Sequence, residues 1–309
     1  MESQEIYNQV NRRYGSIIKS STGNYEQTVA KAFGYTKQEL ASIPEGANLG
    51  LSCGNPTAIA RLREGETVID LGSGAGLDVF TAAKRVGLTG RAIGVDMNKS
   101  MIDKANANKS RVGASNVEFI DSPITSTPAP DNTADCIISN CVINLVPAED
   151  KQLAFNEMFR LLKPGGRVAI SDILAHKELT DVMKKDMALY VGCISGASQV
   201  SEYDKFLRNA GFEDILIVDS NCDLNVYWSA ADGEPPCCGA DTSKTQDEAS
   251  YCCSQDLKHG SYTEQEPCPQ DQPSLMAGEA DRLANQLGIT GLNEWAGSFQ
   301  VYAVKPVTS

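Results

Sequence analysis

The chain has 309 residues, a formal net charge of −13 and a pI near 4.7, and 41% of its residues are hydrophobic. This length fits one large domain or two ordinary ones. The acidic balance argues against DNA or RNA as a partner, because phosphates would be repelled. No apolar run approaches the roughly 20 residues that cross a membrane, and the first residues lack the basic start and apolar run of a signal peptide. We therefore expect a cytoplasmic protein, and we take it to be a monomer.

Ten cysteines are unusual for such a protein, because structural disulfides are rare in a reducing compartment. Their number indicates metal, metalloid or redox chemistry. His176 and His259 are the only histidines, which excludes a histidine-rich metal site. We expect both histidines to be solvated.

The N-terminal part is predicted to be helical, with a loop before the first strand. Apolar residues at helical spacing predict a helix within residues 2–20 that packs onto the main domain. The sequence Thr36-Lys37-Gln38-Glu39 has the capping-box pattern and predicts a helix to about Ile43. A loop rich in turn formers, containing Cys53, then leads to a helix over about residues 56–63. We predict that residues 1–66 form helices and a loop covering a site.

The centre of the chain is predicted to be an α/β unit built around the stretch Val68-Ile69-Asp70-Leu71-Gly72-Ser73-Gly74-Ala75-Gly76. An apolar strand runs into a glycine-rich turn and then a helix, which is the opening of a nucleotide-binding sheet. The remaining predicted elements are a helix to Gly87, a strand over 90–96, a helix over 99–112, strands over 117–121 and 134–140, a helix from Pro147 to Leu162, a strand over 167–172, helices over 178–194 and 201–210, and a strand over 215–219. Residues 67–220 are predicted to form this domain.

Beyond residue 220 the composition changes. Proline, glycine, charge and cysteine dominate residues 221–273, which predicts an insert without its own core. A helix over 275–287 and a closing strand over 298–304 follow. The predicted fold class is therefore α/β, with a seven-stranded, mostly parallel sheet and a cysteine-rich C-terminal region over residues 221–309.

Three features bear on the nucleotide. Asp70 directly precedes the glycine turn, where it would repel a pyrophosphate but attract a cationic ligand such as a sulfonium amino acid. A single sheet is predicted, whereas a dinucleotide needs two halves. Asp96 ends the second strand, where its carboxylate can accept hydrogen bonds from both ribose hydroxyls. A nicotinamide enzyme is the alternative that these features disfavour.

The turn Leu162-Lys163-Pro164-Gly165-Gly166-Arg167-Val168, followed by a closing hairpin, resembles the class I S-adenosylmethionine-dependent methyltransferases. This resemblance implies a Rossmann-like fold and S-adenosylmethionine as cofactor. The residues that it implies for cofactor binding are Asp70, Gly72, Ser73, Gly74, Gly76, Asp96, Met97, Asp121, Ser139 and Asn140.

The methyl acceptor must be argued from the site, because the fold does not identify it. Cys141 follows the fourth strand, Cys193 lies beyond the fifth, and Cys53 lies in the loop before the first. Parallel strands place their carboxyl ends at one edge of the sheet, so these cysteines are candidates for one site. Three converging thiols would bind a thiophilic trivalent centre pyramidally and leave its lone pair free.

Four stretches around these residues resemble the arsenite methyltransferases, and the resemblance covers roughly residues 5–220. The stretches are Gly50–Pro56, Asp70–Asp78, Ser139–Pro147 and Gly192–Gly196. The resemblance implies that Cys53, Cys141 and Cys193 bind As(III) and that the arsenic lone pair takes a methyl group from S-adenosylmethionine. It also implies arsenical substrates, a role in arsenic detoxification, and glutathione or thioredoxin as the reductant that returns arsenic to As(III). The chain departs from the family pattern in having no cysteine before Cys53, which leaves the number of methylations open.

The tail contains two adjacent cysteine pairs, Cys237-Cys238 and Cys252-Cys253, with Cys268 beyond. Adjacent cysteines rarely form a mutual disulfide because the ring is strained, but they can chelate arsenic or a d10 metal. Accessory capture of As(III), unpaired thiols and zinc binding all stay open, although the spacing does not indicate a zinc ribbon.

The less specific interpretations concern residues elsewhere in the sheet. Cys136 lies mid-strand and is expected to pack in the core. Asp172 ends a strand and is interpreted as a turn former. Two other functions remain: a small-molecule C- or O-methyltransferase of the same fold, and a non-catalytic protein that binds arsenic or a metal.

Overall fold

The structure is a computed structural model that describes residues 3–17, 23–186, 189, 193–229, 288–289 and 291–307. The helices are α1 Ser3–Ile17, α2 Asn24–Ala32, α3 Lys37–Ser42, α4 Pro56–Ile59, α5 Leu77–Val86, α6 Lys99–Val112, α7 Lys151–Leu161, α8 Asp181–Lys185, α9 Val200–Ala210 and α10 Val226–Ser229. The strands are β1 Thr67–Leu71, β2 Arg91–Asp96, β3 Val117–Asp121, β4 Ala134–Asn140, β5 Leu162–Ala175, β6 Glu213–Asp219 and β7 Ala296–Val304. Short 3₁₀ turns cover Ile143–Leu145 and Leu292–Glu294.

The seven strands form one sheet in the order β3-β2-β1-β4-β5-β7-β6. Strands β1 to β5 pair in parallel, whereas β7 lies between β5 and β6 and is antiparallel to both. The predicted α/β class with a seven-stranded, mostly parallel sheet is therefore confirmed. The closing strand arrives late in the chain yet occupies an interior position of the sheet.

Both faces of the sheet are covered, which explains why its strands read as continuous apolar runs. In β4, Ile137 packs on the same side as α7 and α9, among Phe155, Met158 and Tyr203. Its neighbours Cys136 and Ile138 point to the opposite face, where α5 packs. The prediction that Cys136 is a core residue is confirmed.

A third apolar cluster covers the carboxyl edge of the parallel strands. It joins Ile6 and Val10 of α1 and Val29 of α2 to the ends of the sheet, and it includes Cys53, Cys141 and Cys193. The N-terminal helices therefore cover the edge at which a ligand would bind. The division into three regions remains a prediction.

Several helices differ in extent from the sequence-based expectation. The capped helix at Thr36 is confirmed with both capping-box hydrogen bonds. The helix predicted over 56–63 is shorter, because Arg61 adopts a left-handed backbone conformation with φ of 47°. The helix expected from Pro147 begins at Lys151, after a turn in which the amides of Asp150 and Lys151 donate to the Pro147 carbonyl.

One helix was not predicted, and two predicted helices lie partly or wholly outside the described residues. Helix α2 was missed, because nine residues with few apolar positions give a weak periodic signal. Of the helix predicted over 178–194, the structure shows α8, and several residues beyond it lie outside the described residues, as does the helix predicted over 275–287. No helix in the described part of the chain is both long and apolar enough to cross a bilayer.

Candidate active site

A cleft opens at the carboxyl edge of β1, β2 and β4, and about 1050 Å³ of space lies within and in front of it, open solvent included. Seven of the residues implied for cofactor binding line it, namely Asp70, Gly72, Ser73, Gly74, Asp96, Met97 and Asn140. Helix α1 forms another wall through Tyr7, Val10, Asn11 and Tyr14. Helix α1 was predicted only to pack onto the domain, although this i, i+3, i+4, i+7 spacing marks the face that reaches the cleft.

The glycine turn after β1 brings the backbone against the cleft. Gly72 has φ of +84°, and a Cβ there would lie 2.2 Å from Val142. Gly76 has φ of +100°, and a Cβ there would lie 2.7 Å from Phe80. Gly74 differs, because it has φ of +51° and no heavy atom within 4 Å of the Cβ position. Gly72 and Gly76 are therefore required by protein packing, whereas Gly74 leaves open space on the cleft.

Two polar groups on this turn have features of a ligand site. The buried Ser73 hydroxyl has no hydrogen-bond partner among the described residues, and such an orphaned group calls for a ligand or water. Asp96 is held in place because one carboxylate oxygen accepts from the Gly74 amide at 2.9 Å and the other from the Asn98 amide at 2.8 Å. Each of these oxygens retains a lone pair for a further donor such as a ribose hydroxyl.

Negative charge is concentrated at the base of the cleft. Burial, with the charges of Asp78 and Asp96, raises the pKa of Asp70 well above its ordinary value. Burial also raises the pKa of Asp78 to about 6, while the hydroxyl of Tyr35 at 2.6 Å and the amide of Asn140 at 3.0 Å oppose the rise. A cationic ligand would favour the ionised form of both carboxyls. Asp78 ends the motif Asp70–Asp78, but no role was predicted for it from the sequence.

The raised pKa of Asp78 predicts a specific pH dependence of stability. Between its ordinary value of 3.8 and about 6, the ligand-free folded state keeps a proton that the unfolded state has released. The stabilisation is complete below pH 3.8 and is lost as pH rises through 6, a change of about 3 kcal/mol. We therefore expect Asp78→Asn to gain about this much relative to the wild type between pH 4 and 7, as measured by urea unfolding.

Tyr35→Phe serves as the control in the opposite direction. It removes the hydroxyl that lowers the pKa of Asp78, so the fall in stability between pH 4 and 7 should become steeper. A difference between Asp78→Asn and the wild type that stays constant with pH would contradict the assignment.

Three of the implied cofactor residues do not line the cleft. The Ser139 hydroxyl is buried and donates to the Leu71 carbonyl at 2.8 Å, so it joins β4 to β1. Asp121 is exposed at the end of β3, outside the lining of the cleft. Gly76 is the residue before α5 and acts through packing. Their proposed contacts with a cofactor therefore have no direct counterpart in the geometry of the cleft.

Cys53, Cys141 and Cys193 come together beside the cleft, although they are separated by up to 140 positions in the chain. They are 0%, 6% and 3% exposed, and Cys141 also lines the cleft. The sulfurs of Cys53 and Cys141 lie within 4.8 Å of each other. The Cys193 thiol donates to the Cys141 carbonyl at 3.1 Å.

Each cysteine is held by its own backbone environment. The Cys53 amide donates to the Asn140 side-chain oxygen at 3.2 Å, and its thiol lies 3.6 Å from the Ser171 carbonyl. Cys141 and Cys193 both have left-handed backbone conformations, with φ of 60° and 65°. Such strain at non-glycine residues is concentrated at functional sites. Asn140 thus connects the cleft, which it lines, to the Cys53 loop.

The three thiols are held in the neutral form. Burial raises the pKa of Cys53 to about 12 and that of Cys141 well above its ordinary value. The hydrogen-bonding interaction with Cys141, together with burial, also raises the pKa of Cys193 well above its ordinary value. The site therefore favours a ligand that reacts with protonated thiols and leaves no net charge.

Asp172 lies next to these thiols, and its interpretation as a turn former was wrong. It is fully buried within β5, which continues to Ala175. One of its carboxylate oxygens accepts from the Asn144 side chain at 3.0 Å and the Ile173 amide at 2.9 Å, and the other accepts from the Tyr203 hydroxyl at 3.2 Å. A strand-terminal aspartate and a mid-strand one look alike in sequence, because the paired strand β7 that extends β5 lies over 120 residues away.

The histidines and the other cysteines lie away from the three thiols or outside the described residues. His176 is partly exposed and lies 3.2 Å from the Asp219 carboxylate. Cys222 is half-buried and packs against the cluster that contains the three thiols. His259 and the cysteines of the tail, Cys237, Cys238, Cys252, Cys253 and Cys268, lie outside the described residues.

Comparison with known proteins agrees with this geometry. A family model described as a methyltransferase domain matches residues 62–211, the part that contains β1 to β5 and the glycine turn. Residues 62–211 therefore have the sequence pattern of a methyltransferase domain. The class I methyltransferase fold and the resemblance predicted from the sequence are thereby confirmed.

Arsenite methyltransferases are among the relatives of this chain. It is 44% identical to the enzyme of Halobacterium salinarum over 207 residues, which cover 66% of this chain and 52% of that protein. It is 34% identical to the enzyme of Aquipseudomonas alcaligenes over 69% of this chain and 64% of that protein. The match therefore spans roughly half to two thirds of the length of these relatives.

Solved structures confirm the fold of the chain. A crystal structure of an arsenic(III) S-adenosylmethionine methyltransferase from Chlamydomonas reinhardtii matches with a TM-score of 0.52 and 22% identity, over 93% of this chain and 74% of that one. A putative sarcosine dimethylglycine methyltransferase from Galdieria sulphuraria matches with a TM-score of 0.57 and 14% identity, over 81% of this chain and 83% of that one. At these identities the structural likeness supports the fold alone.

Proposed function

We propose that this methyltransferase transfers methyl groups from S-adenosylmethionine to trivalent arsenic bound by Cys53, Cys141 and Cys193. The observation that carries the proposal is the meeting of three buried, neutral thiols beside the cleft, with Cys141 belonging to both. The names of the relatives, which are arsenite methyltransferases, support arsenic as the acceptor. A role in arsenic detoxification follows from this proposed activity.

The residues of the cleft fit the cofactor. The open space at Gly74 and the unpartnered Ser73 hydroxyl leave room and a donor for its amino-acid part. The carboxyls of Asp70 and Asp78 suit its positive charges, and Asp96 suits ribose hydroxyls. When bound, S-adenosylmethionine supplies an electrophilic methyl group. The chain's contribution is to hold this ligand and the thiol site in adjoining spaces.

Loading of arsenic fits the protonation state of the thiols. Arsenous acid, As(OH)₃, is neutral near pH 7, and it reacts with three thiols to give the tris-thiolate and three molecules of water. Each S–H proton leaves with a hydroxide, so no charge is buried and no proton is released. The Cys193 sulfur must rotate away from the Cys141 carbonyl, to which it donates at 3.1 Å, before it can bind arsenic.

No general base is needed for methyl transfer, because arsenic reacts through its lone pair and has no proton to lose. Each transfer raises arsenic formally from +3 to +5. An external thiol, glutathione or thioredoxin, must therefore return two electrons before another round, and it becomes a disulfide. We also propose that As(III) is first captured by the cysteine pairs Cys237-Cys238 and Cys252-Cys253. These four residues lie outside the described residues.

The direct test is incubation of the reduced protein with arsenite, isotopically labelled S-adenosylmethionine and glutathione or thioredoxin, followed by arsenic speciation. We expect labelled methylarsenicals, and omission of the reductant should limit the yield to about one turnover. If the arsenic remains unmethylated under all these conditions, the proposed function is wrong. Labelled product on an added phenol or quinol instead would favour the C- or O-methyltransferase alternative.

The proton balance of arsenic binding gives an independent prediction. Arsenite added to the reduced protein in weakly buffered indicator dye should change the proton concentration by about zero per arsenic bound. Its affinity should also be nearly constant between pH 6.5 and 8, because the thiols stay protonated in this range. Release of one or more protons per arsenic would contradict binding through neutral thiols.

A further inference from the structure

The thiol site contains a second possible set of ligand atoms, which shares Cys53 and Cys141 with the arsenic site and adds Asp172. Oxygen or sulfur atoms of Cys53, Cys141 and Asp172 all lie within 4.8 Å of one another, and all three residues are buried. This is the one such group of His, Cys, Asp or Glu ligands in the described part of the chain. As(III) is satisfied by three sulfurs, so a buried carboxylate beside the thiols has no role in the proposed function.

We propose that Cys53, Cys141 and Asp172 form a binding site for a divalent d10 cation, Zn²⁺ or Cd²⁺, and that Cys193 is not part of it. Two thiolates and one carboxylate are ligands that zinc accepts in proteins, and three protein ligands leave a fourth position for water. The site is therefore shared between two kinds of ion through different ligand sets, since arsenic would use Cys193 and the cation would use Asp172.

The geometry requires only small movements. Ligand atoms around a tetrahedral zinc lie roughly 3.5 Å apart, given bonds of about 2.0–2.3 Å, compared with the limit of 4.8 Å here. Rotation of the two cysteine side chains can close this difference. The Cys193 thiol instead donates to the Cys141 carbonyl at 3.1 Å. Cys141 lines the cleft, which gives the cation a path of entry.

The carboxylate of Asp172 is oriented as a metal ligand should be. One oxygen already accepts two hydrogen bonds, from Asn144 and the Ile173 amide. The other accepts from the Tyr203 hydroxyl at 3.2 Å, and the Ile143 amide is a further donor to this carboxylate, so a bound cation would replace one of these donors. Hydrogen bonds of this kind fix ligating carboxylates in metal sites.

The surrounding charge also fits a divalent cation. Two thiolates, one carboxylate and a divalent cation sum to −1, and the buried ammonium of Lys151 interacts with Asp172 and balances this charge. A neutral arsenic tris-thiolate needs neither group. Binding is written as two thiols plus M²⁺ giving the bis-thiolate and two protons, which pass to the buffer.

Binding of Cd²⁺ tests this assignment. The full chain is used with Cys237, Cys238, Cys252, Cys253 and Cys268 replaced by Ser, which removes the thiols of the tail. We expect one Cd²⁺ to bind per chain. Its ultraviolet charge-transfer absorbance should correspond to two Cd–thiolate bonds, and about two protons should be released. Asp172→Asn in this background should bind Cd²⁺ at least 30-fold more weakly, and the exposed Asp103→Asn serves as the matched control with no change.

Arsenite binding is measured on the same proteins and separates the two ligand sets. Asp172→Asn should retain arsenite affinity within about threefold, which also shows that it is folded. Cys193→Ser should lose arsenite affinity but keep Cd²⁺ affinity within about threefold. An unchanged Cd²⁺ affinity in Asp172→Asn overturns the proposal, and so does a Cd²⁺ loss in Cys193→Ser as large as that in Cys141→Ser.

If Asp172→Asn does not fold, the ligand set is measured by X-ray absorption of the Zn²⁺-loaded full chain in which the five tail cysteines are replaced by Ser. Two sulfur and two oxygen or nitrogen neighbours are expected, whereas three or four sulfurs contradict it. None of these measurements depends on methyl transfer, so an inactive protein that binds Cd²⁺ as described refutes the proposed function alone. Competition between Cd²⁺ and arsenite is the one expectation that rests on both.

Discussion

Cys141→Ser should lower the rate of arsenic methylation at least 100-fold while leaving the fold intact. The Cys141 sulfur lies within 4.8 Å of the Cys53 sulfur, the Cys193 thiol donates to the Cys141 carbonyl, and Cys141 lines the cleft. Removing its sulfur therefore breaks the thiol set at its centre, and misplacement of a reactant by about 1 Å can cost 100-fold in rate. Methylarsenical formation and the arsenic bound per chain are the measurements.

Cys222→Ser is the matched control for this experiment. Cys222 is half-buried and packs against the same apolar cluster, but among the described residues its thiol donates to the Ser220 carbonyl and not to another cysteine. We expect its rate to stay within about twofold of the wild type. Urea unfolding should show that both variants keep their stability within about 1 kcal/mol, as is usual for a mild substitution. A Cys141→Ser enzyme with a tenth or more of the wild-type rate would remove Cys141 from the arsenic site.

Gly74→Ala should weaken binding of S-adenosylmethionine by about 30-fold or more. No heavy atom lies within 4 Å of the Cβ position, so the methyl group meets no protein atom and instead occupies cleft space. Overpacking of this kind costs about 2 kcal/mol, which corresponds to about 30-fold in the dissociation constant. Isothermal calorimetry of the reduced protein measures the change.

Gly113→Ala is the control for the backbone strain of this substitution. Gly113 ends α6 with φ of +64° and also has no heavy atom within 4 Å of the Cβ position, but it does not line the cleft. Both variants should lose about 1 kcal/mol of stability, because alanine is strained in the left-handed region. Gly113→Ala should keep its cofactor affinity. Equal affinity in the two variants would show that Gly74 does not face the cofactor.

The sequence predicted the central domain closely because its signals are local. Helix α6 and strand β4 have the predicted bounds, since caps, glycines and apolar runs are all read within a few residues. The N-terminal elements were predicted less well. Helix α2 was missed, and α1 was assigned only to packing although four of its residues line the cleft.

The candidate site was predictable in part. Cys141 and Asn140 follow a parallel strand, and such strands place their ends at one edge of the sheet. Cys53 precedes the first strand, and its position depends on hydrogen bonds to Asn140 and Ser171 from other parts of the chain. Ser139 and Asp121 lie at strand ends as well, yet one joins two strands and the other is exposed. A strand end thus places a residue near a site but does not determine where its side chain points.

The sequence by itself determined the sheet, the glycine turn with Asp70 before it, and the cysteines available for chemistry, because each depends on the residues next to it. Only the tertiary structure decided which of these groups meet. In the folded chain Gly74 is the glycine of the turn that faces open space. The three thiols are buried, and this burial raises their pKa values. The tertiary structure also brought Asp172 to the thiols, because the late strand β7 pairs with β5 and extends it past this residue. Such contacts depend on distant parts of the chain, and no local pattern encodes them.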